Sequence, residues 1–230
     1  TYINESLSTA TSTTSTLMNM KDRNGNSLDI KSTDKVTISF VQNGKSVTTT
    51  INVKDNTTLE DVLKAANDQN TKVGGTGSPF NKTVGVDSKI GVSGQSVQLY
   101  SANGSSVLSI KAGDAGVTQG ISGFSISVSD TYGNVRKSVN DKLNAWSESV
   151  RGENASNNNA LNLQIGTKSN QSINVGISDM RAMALGLQGA DSLTGTAKTI
   201  DVTTVDNANV AINVIDNAIQ RALNEQTKLG

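Results

Sequence analysis

The chain has 230 residues, of which 34% are hydrophobic and only 3% aromatic, so any core has to be built from Val, Ile, Leu and Ala. That length is enough for two modest domains, each with its own core. The 20 basic and 20 acidic residues cancel and form no basic block, which argues against a nucleic-acid partner. Cys and His are both absent, which excludes disulfides, thiol chemistry, Cys/His zinc sites and the usual serine triad. The apolar runs are far shorter than the roughly 20 residues that span a bilayer, and no signal-peptide pattern follows Thr1, so no membrane partner is expected.

The opening Thr1-Tyr2-Ile3-Asn4 reads as the edge of a trimmed fragment. Residues 1–30 are expected to be a linker or frayed segment, because residues 5–15 are dominated by Ser and Thr without periodicity. Asn24-Gly25 resembles a turn, but centring a hairpin there sets Met20 against Asp29, a poor register for a buried face. A clearer hairpin follows. A two-residue turn at Asn43-Gly44 pairs Phe40 with Val47, Ile38 with Thr49 and Val36 with Ile51 on one face. Thr57 and Thr58 then offer a hydroxyl cap, Glu60 and Asp61 acidify a first turn, and Leu59, Val62, Leu63 and Ala66 recur at helical spacing. A short helix should lie across the hairpin.

A glycine-rich connector around Gly74-Gly75 leads to Pro79, and a second turn, Asn103-Gly104, would set Val97 against Ile110 and Leu99 against Leu108. Phe124 to Val128 alternates as a strand. From Tyr132 the period changes, and Val135, Val139, Leu143, Trp146 and Val150 predict a helix of about four turns with the one Trp on its buried stripe. The Asn-rich stretch 154–159 ends it.

Leu161, Leu163 and Ile165 alternate, as do Ile173, Val175 and Ile177, which predicts a hairpin over 161–177 with one apolar face. Asp179-Met-Arg-Ala-Met-Ala-Leu-Gly-Leu187 follows. The end of the chain, 203–230, carries Ala208, Ile212, Ile215, Ile219, Ala222, Gln226 and Leu229 at alternating spacings of four and three, a coiled-coil seam. Thr203 is expected as its N-cap, with Asp206 three residues on.

In order, spacing and residue identity, the hairpin, the Ala-Leu-Gly-Leu segment and this last helix resemble the inner, rod-forming domain of bacterial flagellins. The two strands and helix of residues 36–67 are similar to the small modules inserted into flagellins and hook-associated proteins. The flagellin-like text covers roughly 161–230. The long N-terminal helix that pairs with this seam in flagellins is not recognisable, and the insertion precedes the hairpin rather than following it.

The resemblance implies an elongated α+β protein. A β-rich variable insertion with a short helix over residues 31–130 would form an outer module, on a helical coiled-coil rod with one hairpin over 131–230. It implies a structural subunit of the extracellular flagellar filament, self-assembling for motility and secreted through the flagellar export apparatus. The chain would be the core fragment of such a subunit, lacking the terminal polymerisation segments; other flagellin subunits would be partners of the full-length protein, and the innate immune receptor for flagellin is a further implied partner. The rival class is a flagellin-like surface adhesin whose insertion binds a glycan.

No enzyme, cofactor or metal is expected. Gly44-Lys45-Ser46 lacks the first glycine of a phosphate loop, Ser39 standing in its place. Asp22, Asn24 and Asn26 begin like a calcium loop, but Ser27 and Thr33 occupy the required Gly and Glu positions. Glu60, Asp61 and Asp141 are ordinary solvated helix carboxylates, with no second acid placed beside them for acid/base chemistry.

Overall fold

The computed structural model describes residues 2–11, 14–72, 99–100, 106–110, 120–148, 160–167, 171–176, 178–190 and 197–230. In chain order its strands are β1 (Tyr2–Asn4), β2 (Lys35–Gln42), β3 (Lys45–Asn52), β4 (Leu99–Tyr100), β5 (Ser106–Ile110), β6 (Ile121–Ser129), β7 (Trp146–Glu148), β8 (Ala160–Gln164), β9 (Ser172–Gly176), β10 (Gln188–Ala190) and β11 (Ala197–Thr199). The helices are α1 (Leu59–Lys72), α2 (Lys137–Leu143) and α3 (Val205–Leu229). The strands form small antiparallel sheets in the orders β4-β5-β1-β7 and β3-β2-β6, and the pairs β8-β9 and β10-β11.

The β2–β3 hairpin has the register read from the sequence, with Phe40 opposite Val47, Ile38 opposite Thr49 and Val36 opposite Ile51. Asn43 and Gly44 sit at φ 48° and 72°, the two left-handed positions of a type I′ turn. Helix α1 covers this face with Leu59, Val62, Leu63 and Ala66, all fully buried. Its start is a capping box, in which Thr58 Oγ1 accepts from Asp61 N (3.2 Å) while Asp61 Oδ2 accepts from Thr58 N (2.9 Å).

The first thirty residues contribute directly to the same core. Tyr2, Leu7, Leu17, Met20, Leu28 and Ile30 are buried in one cluster with Phe40, Val62 and Phe124. Around Asn24-Gly25 the pairing is Lys21 with Ser27, and Leu28 N donates to Met20 O, so both Met20 and Leu28 face inward. The turn there is a closed loop, Asp22-Arg23-Asn24-Gly25-Asn26, and Asp130-Thr131-Tyr132-Gly133-Asn134 repeats it bond for bond. In each, the Asp Oδ1 accepts from the backbone N–H groups two and four residues on, at 2.8–2.9 Å, and Oδ2 accepts from the Asn amide. The glycines sit at φ 87° and 90°. Asp22 thus works as the clasp of a turn. Strands β4 and β5 pair Leu99 with Val107, one residue away from the expected register. The turn Asn103-Gly104 lies outside the described residues.

Strand β6 pairs with β2 along one edge and is finished along the other by side chains. Asn140 Oδ1 accepts from Val128 N (2.6 Å), its Nδ2 donates to Val128 O (3.2 Å), and Asn144 Oδ1 accepts from Ile126 N (2.7 Å). Two asparagines one helical turn apart therefore do the work of a neighbouring strand. This arrangement also corrects the helix expected from Val135 to Val150. Helix α2 stops at Leu143, where Asn4 Nδ2 donates to the carbonyls of Lys142 (2.9 Å) and Leu143 (3.1 Å). Trp146 then begins β7, which pairs with β1. The three-and-four spacing of Val139, Leu143 and Trp146 reflects two elements burying residues in one core. Arg136, just before α2, binds the Asp34 and Asp29 carboxylates and ties the 29–34 loop to the end of β6.

The elongated coiled-coil rod expected over 131–230 is not what forms. Among the described residues there are three helices, and the longest, α3, packs on a sheet rather than along another helix. Val210 and Val214 of α3 meet Val41 on the face of the β3-β2-β6 sheet opposite α1. The reason lies in β6. Its register against β2 shifts between Ser39 and Val41, with Gly123 in the left-handed region at φ 62°, a glycine bulge. A Cβ on Gly123 would stand 2.6 Å from Val214 Cγ2 and 3.0 Å from Val214 N. The bulge lets both Ile121 and Phe124 face inward and gives α3 a notch to sit in.

Gly123→Ala combines a backbone clash with a strained φ and should cost about 2 kcal/mol or more, read as a lower Tm together with faster protease cleavage within α3. The two clasp carboxyls titrate below their ordinary value of 3.8, chiefly because the Asn four residues on hydrogen-bonds each in its ionised form. Each therefore stabilises the fold above that value and ceases to as pH falls through the lowered one. The double variant Asp22→Asn, Asp130→Asn should show a flatter decline of Tm with acidification below about pH 4 than the parent.

Candidate interaction surface

Helix α3 starts one residue later than expected: Thr204 is the N-cap, its Oγ1 accepting from Asn207 N at 3.2 Å. Asp201 Oδ1 holds Thr203 in the approach, accepting from both its N–H and its hydroxyl. The helix carries two apolar stripes. One, Val210, Ala211, Val214 and Ala218, is buried. The other is the expected seam, rotated by roughly a third of a turn from the first at 100° per residue. Along it Ile212 is 56% exposed, Ile215 43%, Ile219 51% and Leu229 50%; Ala222 is exposed and Ala208 half-buried. Leu223 and Val205 widen this exposed stripe.

The segment before α3 is seated on its buried side. Residues 182–187 close as a Schellman turn: Leu187 N donates to Ala182 O (2.9 Å), Gly186 N donates to Met183 O (3.2 Å), and Gly186 is left-handed at φ 78°. Leu187 packs with Val41, Val210 and Val214, and Arg221 Nη1 donates to Ala184 O at 2.8 Å. The glycine of Ala-Leu-Gly-Leu is needed twice, since a Cβ there would also meet Ser122 Oγ at 2.0 Å.

Strands β8 and β9 form the expected hairpin, pairing Leu161 with Val175 and Leu163 with Ile173. Its described apolar side chains, Leu163, Ile165 and Ile173, are exposed, and Ile177 lies outside the described residues. The last turn of α3 grips the end of this hairpin. Lys228 Nζ donates to Gly176 O (2.7 Å), and Glu225 accepts from Ser178 N (2.9 Å) and Ser178 Oγ (3.1 Å). Those Ser178 bonds and the nearby Lys228 lower the Glu225 pKa. Chemically, the surface offers branched aliphatic area on a long helix and a tethered hairpin, with no cluster of metal-ligating side chains among the described residues.

Reading the sequence for a seam missed the packing stripe, although Val210, Val214 and Ala218 recur at a strict spacing of four in the same helix. The signal that separates them is the polar set Asn213, Asn217, Arg221 and Glu225. These side chains flank the buried stripe, and Asn213, Arg221 and Glu225 bond to other elements. In comparisons with protein-family models, curated proteins and solved structures, nothing matches this chain.

Val214→Asp buries a carboxylate against Val41 and should cost more than about 3 kcal/mol. Ile215→Asp, on the exposed stripe, should change stability by at most about 1 kcal/mol. Urea unfolding of the two variants side by side tests which stripe is the packed one.

Proposed function

We propose that this chain is a structural subunit of a bacterial flagellar filament, secreted through the flagellar export apparatus and acting by assembly rather than by catalysis. The observation that carries the reading is the exposed stripe of α3. It runs from Val205 to Leu229, about 37 Å of helix, with Ile212, Ile215 and Ile219 at its centre. Contiguous apolar surface of this extent marks a protein–protein contact rather than a solvated face. The exposed side chains of the β8–β9 hairpin supply a second such face, and the residues that form both are the ones that resemble flagellins. Other subunits of the filament are the partners this surface suits, because branched aliphatics favour a permanent, apolar interface, with Asp216 the charge at its border.

In a flagellin-deleted bacterium, the gene encoding this chain should restore filaments visible by electron microscopy and swimming in soft agar. The double variant Ile212→Asp, Ile219→Asp should be exported and folded, with a Tm close to the parent's, yet give no filaments. Filaments of normal length from that variant, or none from the parent gene, would overturn the reading.

A further inference from the structure

Three of the chain's seven aromatic residues converge on one place. Tyr2 from β1, Phe124 from β6 and Trp146 from β7 form a ladder, with ring centroids 5.4 Å apart for Tyr2–Phe124 and 5.3 Å for Phe124–Trp146, the latter pair edge-to-face. They line a cleft of about 340 Å³ between α3 and the sheet, within the size range of small-molecule sites. Trp146 is the half-buried member, and its ring contact with Phe124 fixes the indole. Its Nε1 is buried and makes no hydrogen bond to any described residue, so the position of the ring is not set by that donor.

The rest of the cleft is polar and uncharged but for one acid. Asn144, Asn213, Asp216 and Asn217 line it, the last three from adjacent turns of α3. Asn144 uses its Oδ1 on Ile126 N and Asn213 its Nδ2 on Ser125 Oγ, which leaves one NH₂ and one carbonyl oxygen. The side chains of Asp216 and Asn217 make no hydrogen bond to any described residue. An aromatic wall beside amide donors and acceptors and a carboxylate suits a ligand with a C–H face and a ring of hydroxyls. No cation among the described residues lines the cleft, and Asp216 repels anions.

We infer that this cleft binds a neutral monosaccharide unit, with the Asn and Asp side chains of α3 reading its hydroxyls against the Trp146 side of the aromatic ladder. Asn213 and Asn217 lie on the flank of α3 next to the sheet, and Asp216 stands between them and the exposed stripe.

Trp146 is the single tryptophan of the chain, so its fluorescence reports this cleft directly. The purified protein would be titrated with glucose, galactose, mannose and N-acetylglucosamine, and with glucuronate as the anionic control. The expected result is a saturable change for at least one neutral sugar and none for glucuronate. Asp216→Ala and Asn217→Ala, which remove exposed or half-exposed side chains and should keep the parent Tm, should each weaken that binding about tenfold, equivalent to about 1.4 kcal/mol. Three results would overturn the proposal: no saturable change with any neutral sugar, equal affinity in both variants, or tighter binding of glucuronate.

Discussion

The fold depends on how strand β6 is satisfied on all four sides. Its inner edge bonds to β2, and its outer edge is closed by Asn140 and Asn144 rather than by another strand. Its inward side chains enter the main core, and its outward face, opened by the bulge at Gly123, receives α3. An unpaired buried N–H costs about 1–3 kcal/mol, so an edge strand in the middle of a protein has to be finished by something. Amide side chains suit that task because each offers a donor and an acceptor in one plane. The same chemistry recurs at Asn4, which is fully buried and binds the last carbonyls of α2.

Local rules made much of this legible. The Asn43-Gly44 hairpin, the cap and buried face of α1 and the pairing of β8 with β9 follow from alternation, helical spacing and turn chemistry within short windows. What sequence reading lacked was anything that depends on distant partners. Residues 5–15 contain no periodicity, yet Leu7 is buried because β1 has already fixed the chain beside β5. The spacing of Val139, Leu143 and Trp146 fits a helix equally well, and only the bonds from Asn4 and Asn144 end α2 where they do. Clasp loops such as Asp22 to Asn26 were readable as Asp-x-x-Gly-Asn, a pattern with its own mechanism that resembles the start of a metal loop.

Helix α3 shows why a heptad alone does not identify a buried face. Two stripes satisfy helical spacing, and the choice between them rests on shape. Val210 and Val214 stand against Gly123, where a Cβ would meet Val214 Cγ2 and the backbone of both, so this stripe enters the notch. The consequence is a helix held on one side by its own domain and open on another.

The position of β1 in the sheet also sets an order of events for the chain. Tyr2 and Asn4 bond to groups 119 and 138 residues further along. Closing loops of that length carries most of the entropic cost of the topology, while the β2–β3 hairpin and α1 need only local closure. As the polypeptide is synthesised, the hairpin and its helix can form early, but the first strand has no edge to join until β5 and β7 exist. The three residues of β1 act as the closing stitch, inserted between strands from the middle of the chain. Until that stitch is made, Tyr2 is missing from the aromatic ladder and the last carbonyls of α2 lack the amide of Asn4.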